Sequence, residues 1–481
     1  MSEYTGDILS AFLPFERIML EAVSHPLVIN MFKRNFLQLL SGATGGISRT
    51  QIDAVDDVAD AGTLKGYGEH GREALARAVV IKLNGGLGTS MGLEQAKSLI
   101  PVKNGLRFID IIALQIEHLR GSGGHSVPLL MMNSEQTQAD CLAALAAYPL
   151  LDSDLPLDFL QHRVPKVLAD DLTPAVSDEN PELGWCPPGH GDIYTALVTS
   201  GVLSRLLEKG FEYAFISNAD NLGAVMDLDI LGYFAKENIP FMMEVADRTP
   251  ADRKGGHLAR LKDGRLTLRE LAQCPEDELD EFQDIRLYRY FNTNSLWVNL
   301  PALQKMLDHY DNLLPLPLIR NRKTLDPRDP ESLPVYQLET AMGAAISLFE
   351  HSAALRVPRS RFAPVKTCDD LLAIWSDAYA LTDDFRIIPN PARTLPHLDI
   401  VLDKQHYRFV SQLEQRFPQG APSLLHCASL RIDGDVRFGA GVQCHGQVHL
   451  KAEQDSVMHI ADNSLLNENS RVEMIDLSEE K

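Results

Sequence analysis

The sequence predicts an α/β protein in which a helical segment precedes a mainly parallel central sheet and a parallel β-helix follows it. Three patterns indicate this order. Apolar residues recur at helical spacing before residue 60, apolar runs alternate with amphipathic stretches between about 78 and 380, and apolar residues recur every six positions towards the C-terminus. We therefore divide the chain into a helical segment at 1–60, a central domain at 61–385 and a C-terminal domain at 386–481.

The first 60 residues are predicted to be helical and peripheral. Phe12, Phe15 and Met19 lie three or four positions apart, and Ile29 and Phe32 begin a second set with the same spacing. No residue pattern in this segment points to chemistry. We expect it to brace the main domain.

The central domain alternates apolar runs with amphipathic stretches. Strands are predicted at 78–83, 127–133, 211–217, 240–246 and 291–298. Helical faces are predicted at 108–119 and 338–349, and Asp263-Gly264 between two short apolar runs predicts a β-hairpin. Strands that alternate with helices form parallel sheets covered on both faces, and such sheets bind ligands beyond the carboxyl ends of their strands.

The C-terminal domain shows a six-residue apolar repeat, at Leu424, Leu430, Val436, Val442, Val448, Ile460, Leu466 and Val472. This period fits neither a helix nor simple strand alternation, and it is typical of the short coils of a parallel β-helix. The alternative is a set of irregular strands in chance register. The proline-containing segment at 388–391 is predicted to be a hinge between this domain and the sheet.

Composition excludes several classes of protein. The chain has 45% hydrophobic and 23% charged residues and a formal net charge of −21, which argues against nonspecific binding of nucleic acid or of an anionic membrane. No window reaches the ~18 consecutive apolar residues of a membrane helix. The six cysteines contain no Cys-x-x-Cys pair, and the first residues lack the basic start of a secretory signal. We expect a cytoplasmic protein with reduced thiols.

A glycine-rich loop follows the first predicted strand, in the order Lys82-Leu-Asn-Gly-Gly-Leu-Gly-Thr-Ser-Met-Gly92, and Lys97 comes five residues later. Glycines let backbone N–H groups close on an anionic or planar ligand, so the loop predicts a nucleotide pocket. Neither a Walker loop nor a dinucleotide fingerprint fits, because Gly86-x-Gly88-x-x-x-Gly92 is one residue too long for the latter. The alternative is an ordinary strand-to-helix loop.

Two further segments carry polar groups where strands or helices begin and end. In Pro187-Pro-Gly-His190-Gly, a stiff approach leaves the histidine free to donate to a phosphate or a sugar hydroxyl; the alternative is a structural histidine. Asp220 follows an apolar strand within Ser217-Asn-Ala-Asp-Asn221, where a carboxylate can hold Mg²⁺. The alternative there is a turn formed by Asn and Asp side chains.

The remaining two segments suit a sugar and a phosphate. Phe291-Asn-Thr-Asn-Ser295 places amides and hydroxyls at the start of a strand, where they can satisfy sugar hydroxyls in several directions. Lys366 stands behind Pro364 and Val365, so it can present a positioned cation to a phosphate.

These segments together resemble the eukaryotic-type UDP-glucose pyrophosphorylase family. The resemblance covers most of 78–380 and also includes Asn221-Leu-Gly, Lys254-Gly-Gly and Gln337-Leu-Glu-Thr-Ala. It implies a Rossmann-like nucleotidyltransferase core, a C-terminal left-handed parallel β-helix and the use of Mg²⁺. One difference is that Gln95-Ala96 stands before Lys97, where many members carry Gly-Pro.

The resemblance also implies roles for single residues. The UTP site would comprise Leu83, Asn84, Gly85, Gly86, Lys97, Gln161, Gly189, Asn218, Asp220 and Lys366. Within it Gln161 would read the uracil, Asp220 would hold Mg²⁺, and the catalytic residues would be Lys97 and Lys366, which act on the phosphates. The sugar phosphate would be bound by His190, Asn292 and Asn294.

The implied reaction joins UTP and glucose 1-phosphate to give UDP-glucose and pyrophosphate by in-line attack. The attacking phosphate oxygen is already ionised, so alignment and charge neutralisation are what the protein must supply. Two alternatives stay open: a UDP-sugar pyrophosphorylase for another or several sugar 1-phosphates, and a catalytically silent UDP-sugar-binding sensor. The β-helix is expected either to mediate self-association through its open end or to cap the core.

Overall fold

The computed structural model describes residues 2–42, 45–151, 154–249, 252–395, 398–454 and 456–468. Its α-helices are Ser2–Glu21, Pro26–Leu40, Gly68–Leu75, Phe108–Gly123, Glu135–Leu145, Ile193–Thr199, Val202–Glu208, Leu228–Lys236, Leu279–Phe282, Leu300–His309, Cys368–Trp375, Lys404–Tyr407 and Val410–Arg416. Within these ranges no helix has the length and apolar character needed to cross a membrane.

Among the described residues, 11 strands form the central sheet. Along its main path they follow the order Ala59–Asp60, Ala353–Arg356, Phe241–Asp247, Tyr290–Asn299, Tyr213–Asn218, Ala78–Asn84, Leu129–Asn133 and Asp158–Leu160. Neighbours on this path run parallel, except that Tyr290–Asn299 is antiparallel to both of its neighbours. All five predicted strands lie in this sheet, and the prediction of a mainly parallel sheet is confirmed.

A hairpin and an N-terminal strand complete the sheet. Strands His257–Leu261 and Leu266–Arg269 pair antiparallel across the predicted turn, where Gly264 has a φ of 93°. Ile52–Ala54 pairs with the first of them. The helical prediction for the N-terminal segment therefore holds for its two helices, whereas the end of the segment is extended. The apolar faces of the two helices meet in a cluster of phenylalanines, among them Phe15 and Phe36.

The predicted helix at 338–349 is wrong. Leu338 belongs to strand Pro334–Glu339, which pairs with Ile319–Thr324, and Met342–Leu348 forms a 3₁₀ helix. The apolar residues of this stretch pack into two different clusters, since Leu338 joins the N-terminal helices and Met342 joins the central sheet. The apolar residues at 338–349 have helical spacing in the sequence, but in the structure they point into two different clusters.

The C-terminal domain is a stack of parallel strands. One stack contains Asp399–Leu402, Ser423–Asp433, Gln443–Lys451 and Leu465–Leu466, and a second contains Asp435–Phe438 and Val457–Ile460. The remaining short strands of the chain are Pro101–Lys103, Leu106–Arg107, Val164–Pro165, Val167–Leu168, Trp185–Cys186, Tyr379–Leu381 and Ile387–Pro389. The apolar residues of the six-residue repeat are at most 4% exposed through Leu466, so the repeat marks the core. Val472 lies outside the described residues.

The C-terminal stack is bonded to the helix that follows Lys366. The backbone N–H of Leu402 donates to Asp369 Oδ1 at 2.8 Å, and that of Leu424 donates to Asp377 Oδ1 at 2.7 Å. Two residues beyond the predicted hinge at 388–391, Arg393 donates to the carbonyl of Leu424 at 2.7 Å. These contacts fix the helix Cys368–Trp375 against the stack.

A buried ion pair joins the sheet to the segment that leads to Lys366. Arg361 Nε donates to Glu244 Oε2 at 2.9 Å and its Nη2 donates to Oε1 at 2.6 Å, with 9% and 0% of the two side chains exposed. Trp297 also donates to Glu244 Oε1 at 2.9 Å. Such a bidentate pair fixes both partners in position, and an unpaired charge left in its place is costly.

Removing one member of this pair is expected to destabilise the fold. Arg361→Met leaves the Glu244 carboxylate buried without its cation, so the free energy of unfolding in urea should fall by about 3–5 kcal/mol. The double variant Arg361→Met/Glu244→Gln should recover most of that loss. Arg431→Met, which breaks an exposed pair with Asp433, should leave the urea midpoint unchanged. A midpoint for Arg361→Met equal to that of the wild type would contradict the structural role of the pair.

Candidate active site

The candidate site lies where three parallel strands end side by side. Asn84 is paired in register with Asn133, and Leu83 with Asn218, at the carboxyl ends of their strands. Asn84 Nδ2 donates to Asn133 Oδ1 at 2.8 Å, and the backbone N–H of Ala219 donates to the carbonyl of Leu83 at 3.0 Å. The loops that follow these strands therefore begin from fixed, adjacent points.

The glycine-rich loop lies directly against Gln161. A Cβ atom built on Gly85 would fall closer than 3.0 Å to the Gln161 carboxamide, a separation that real Cβ atoms essentially never show. The backbone N–H of Gln161 donates to the carbonyl of Asn133 at 2.8 Å, so its place at the sheet edge is set by the neighbouring strand. The structure thus brings together two predicted site residues from distant parts of the sequence.

Lys97 closes the loop back onto its own start. Gly88 and Gly92 have φ values of 61° and 75°, which reverse the chain, and the backbone N–H of Lys97 donates to the carbonyl of Gly86 at 3.2 Å. The ammonium of Lys97 then donates to Asp220 Oδ2 at 2.6 Å, with 17% of its own side chain exposed. Two predicted site residues form an ion pair at the mouth of the loop.

The second oxygen of Asp220 lacks a partner. Its Oδ1 atom is buried and accepts no hydrogen bond from the described part of the chain. A buried carboxylate oxygen without a donor is costly, and it is also the ligand type that a hard divalent cation prefers. The described residues contain no cluster of three or more His, Cys, Asp or Glu side chains suited to a metal, so protein ligands alone would not complete a coordination shell.

His190 is a neutral hydrogen-bond donor in this site. Its Nδ1 accepts the backbone N–H of Met342 at 3.0 Å, which leaves the proton on Nε2. Burial, together with the positive charge of Lys366, lowers the pKa of His190 to about 4. The preceding Gly189 has a φ of 82°, and a Cβ on it would fall within 3.0 Å of the Thr340 backbone. The approach to His190 therefore requires glycine.

Lys366 faces the same space as His190. Its backbone N–H donates to Asp370 Oδ2 at 2.8 Å, and the neighbouring Val365 N–H donates to the carbonyl of Asp220 at 3.2 Å. The Lys366 side chain is exposed, and within the described chain its ammonium makes no hydrogen bond or ion pair. It is a cation without a protein partner, close to the Asp220 loop.

Glu270 is a site residue that the sequence reasoning missed. Burial raises the pKa of its carboxyl, and the positive charge of Lys366 acts on that pKa in the opposite direction. A Cβ on Gly256 would fall within 3.0 Å of the Glu270 carboxylate, which places that carboxylate against the turn after Lys254. The residues next to Glu270 carry no motif; the hairpin brings it to the site.

Asn292 and Asn294 are held as a pair. Asn292 Nδ2 donates to Asn294 Oδ1 at 2.7 Å, and the backbone N–H of Asn294 donates to Asn292 Oδ1 at 2.9 Å. The pair sits at a bulge of its strand, where Asn294 has a φ of 56°. The backbone N–H of Asn292 donates to the carbonyl of Gly256 at 3.1 Å, so the pair adjoins the turn that supports Glu270.

The arrangement has two chemically different ends. The glycine-rich loop and Gln161 offer backbone groups and a carboxamide, which suit a planar base. His190, Glu270 and the asparagine pair offer donors and acceptors, which suit a polyol. Lys97, Asp220 and Lys366 lie on the segments between these ends, and they can neutralise phosphate charge there.

Known proteins are similar to this chain over most of its length. The model of the UTP–glucose-1-phosphate uridylyltransferase family matches residues 29–445. The UTP–glucose-1-phosphate uridylyltransferase of Solanum tuberosum is 41% identical over 396 residues, which cover 82% of this chain and 81% of that protein. That of Hordeum vulgare is 42% identical over 393 residues, covering 82% and 81%.

Solved structures are similar over almost the whole chain. A mutant of Leishmania major UDP-glucose pyrophosphorylase, in complex with UDP-glucose, has a TM-score of 0.89 and 44% identity, and the match covers 95% of this chain and 98% of that one. A Trypanosoma brucei structure described as UDP-glucose phosphorylase has a TM-score of 0.88 and 43% identity, with the same coverage.

The contact between Gly85 and Gln161 predicts a specific loss. Gly85→Ala forces the Gln161 carboxamide away from the loop, so the affinity for UTP, measured by calorimetry, should fall about tenfold or more. Gly121→Ala is the matched control, because a Cβ there meets nothing within 4 Å. Unchanged UTP affinity in Gly85→Ala would remove this contact from the nucleotide site.

Proposed function

The chain belongs to the UTP–glucose-1-phosphate uridylyltransferase family, and we propose that it transfers the uridylyl group of UTP to glucose 1-phosphate, forming UDP-glucose and pyrophosphate. The observation that carries the proposal is the Lys97–Asp220 ion pair beside the glycine-rich loop, with Lys366 on the adjoining segment. These two cations and one carboxylate lie between a pocket suited to a planar base and a pocket suited to a sugar. Such an arrangement suits the joining of a nucleotide to a sugar phosphate.

On the nucleotide side, Leu83, Asn84, Gly85 and Gly86 contact the uracil and the adjoining ribose. Gln161 supplies the carboxamide that distinguishes the base, a role supported by its packing on Gly85. Gly189 approaches the base or the ribose, and Asn218, which is paired in register with Leu83, faces UTP. These residues bind and orient the substrate, while the two lysines act on its phosphates.

On the sugar side, His190 donates from Nε2 to the phosphate of glucose 1-phosphate. Asn292 and Asn294 bond the sugar hydroxyls, and their mutual hydrogen bonds fix the direction of both carboxamides. Glu270 adds an acceptor for a hydroxyl on the same face. Burial and the positive charge of Lys366 together keep the pKa of His190 low, so the imidazole acts as a neutral donor while Lys366 is the cation that acts on the phosphates of UTP.

The reaction needs alignment more than proton transfer. An ionised phosphate oxygen of glucose 1-phosphate attacks the α-phosphorus of UTP, the bond from that phosphorus to the β-phosphate bridging oxygen breaks, and pyrophosphate leaves with the electron pair. Lys97 and Lys366 reduce the repulsion between the two polyanions and stabilise the charge that develops on the leaving group. His190, neutral in the free protein, orients the attacking phosphate.

Asp220 is the residue proposed to hold Mg²⁺. Its buried Oδ1, which no described residue bonds, fits a cation, and phosphate oxygens of the nucleotide can supply ligands beyond those that the described residues offer. Bound there, Mg²⁺ would neutralise charge on the phosphates and so favour the transfer.

Three further properties complete the proposal. The central domain at 61–385 is the nucleotidyltransferase unit, and the C-terminal domain at 386–481 is a left-handed β-helix, which the parallel stacking supports. Its open end, where Leu465 is 54% exposed, is proposed to pair with a second copy of the chain.

The protein is proposed to be cytoplasmic, in agreement with its six unpaired cysteines.

Lys366 should be required for turnover. Purified protein with UTP, glucose 1-phosphate and Mg²⁺ should release pyrophosphate, and Lys366→Ala should lower kcat about a hundredfold to a thousandfold while the protein stays folded. Lys305→Ala, an exposed lysine on helix Leu300–His309, should keep wild-type turnover. Absence of pyrophosphate release with any sugar 1-phosphate of a panel would contradict the enzyme proposal and favour a UDP-sugar sensor.

Asp220→Asn should weaken the metal site. The Mg²⁺ concentration for half-maximal activity should rise at least about tenfold, and binding of Mn²⁺ to the UTP complex, followed by electron paramagnetic resonance, should weaken by a similar factor. Asp308→Asn, an exposed carboxylate on a distant helix, serves as control. Equal Mn²⁺ affinity in Asp220→Asn and the wild type would exclude Asp220 as a metal ligand.

A further inference from the structure

The side chain of Asn221 bonds two segments of the site to each other. Its Nδ2 donates to the carbonyl of Arg361 at 3.1 Å, and its Oδ1 accepts the backbone N–H of Ala363 at 3.0 Å. Asn221 itself is 2% exposed, and both of its partners are main-chain groups. The carboxamide therefore clamps the backbone on both sides of Phe362 rather than any side chain.

The clamp is one part of a short, close contact between the Asp220 loop and the Lys366 segment. Asn221 and Pro364 form an isolated β-bridge, and the backbone N–H of Val365 donates to the carbonyl of Asp220 at 3.2 Å. A Cβ built on Gly223 would fall within 3.0 Å of the Ser360 carbonyl, so the two backbones approach more closely than a side chain allows. The lysine backbone is thereby fixed relative to the Asp220 carboxylate.

The Lys366 ammonium depends on this backbone for its direction. Lysine is a flexible side chain, and no described residue bonds the Lys366 ammonium. The capping carboxylate of Asp370 holds the Lys366 N–H from the other side, at 2.8 Å. Main-chain anchors before and after Lys366 therefore fix the backbone from which its side chain extends.

We propose that Asn221 is a positioning residue that acts through Lys366, by holding segment 361–366 at a fixed distance from Asp220. The inference rests on the proposed function, because it assigns Lys366 to the phosphates of that reaction. Misplacement of a reacting or charge-stabilising group by about 1 Å costs a rate factor of about a hundred. Loss of the clamp should therefore lower turnover while leaving nucleotide binding intact, since the Asp220 loop keeps its own anchor at Leu83.

The test is a double-mutant cycle on kcat and on KM for UTP, with the wild type, Asn221→Ala, Lys366→Ala and the double variant. Asn221→Ala alone should lower kcat about tenfold to a hundredfold and change KM for UTP by less than about twofold. In the Lys366→Ala background the same substitution should lower kcat by less than about twofold, because the group it positions is gone. A purely structural role would give equal losses in both backgrounds, and that result overturns the inference.

Two controls keep the cycle decisive. Asn299→Ala removes the cap of helix Leu300–His309 at the far end of the strand that carries Asn292, so it should lower stability without changing kcat. If Asn221→Ala does not fold, Asn221→Ser, which keeps a short hydroxyl, replaces it in the same cycle and should show the same dependence on Lys366. If the wild type is inactive, the proposed function is wrong. If the wild type is active and the Asn221 and Lys366 substitutions lower kcat independently, only the inference about Asn221 is wrong.

Discussion

The ion pair between Lys97 and Asp220 is the interaction on which the site depends. It joins the glycine-rich loop to the loop after the neighbouring strand Tyr213–Asn218. The backbone carbonyl of Asp220 in turn accepts a hydrogen bond from the N–H of Val365. Three segments from distant parts of the sequence thus meet around one carboxylate. One of its oxygens is buried and receives no hydrogen bond from the residues that the structure describes, so a cation or a ligand donor there would be favourable.

The sheet makes that meeting possible at small conformational cost. Parallel neighbours end at the same edge, so loops that follow them begin side by side without long connections. The buried Glu244–Arg361 pair then ties the segment before Lys366 to the same sheet. Polar groups of the site are therefore carried by rigid elements, which agrees with a reaction that depends on holding two anions in line.

Sequence patterns predicted the sheet for a clear physical reason. Central strands such as Leu129–Asn133 and Tyr213–Asn218 are apolar runs that end in polar residues, and the six-residue repeat marks the buried positions of the C-terminal stack. The patterns failed where tertiary contacts decide. Glu270 reaches the site through a hairpin, without a motif of its own, and the apolar spacing at 338–349 comes from residues in two separate cores. That Gly85 and Gln161 belong to one site was predicted from the family resemblance, since no local sequence pattern links them.

A crystal structure of the protein with UTP and Mg²⁺ tests the central claim most directly. The account predicts that the Lys97 and Lys366 ammonium groups both contact oxygens of the triphosphate, with the Asp220 carboxylate on the metal that those oxygens share. A complex in which the triphosphate lies away from Asp220, or in which the two lysines point into separate spaces, would contradict it.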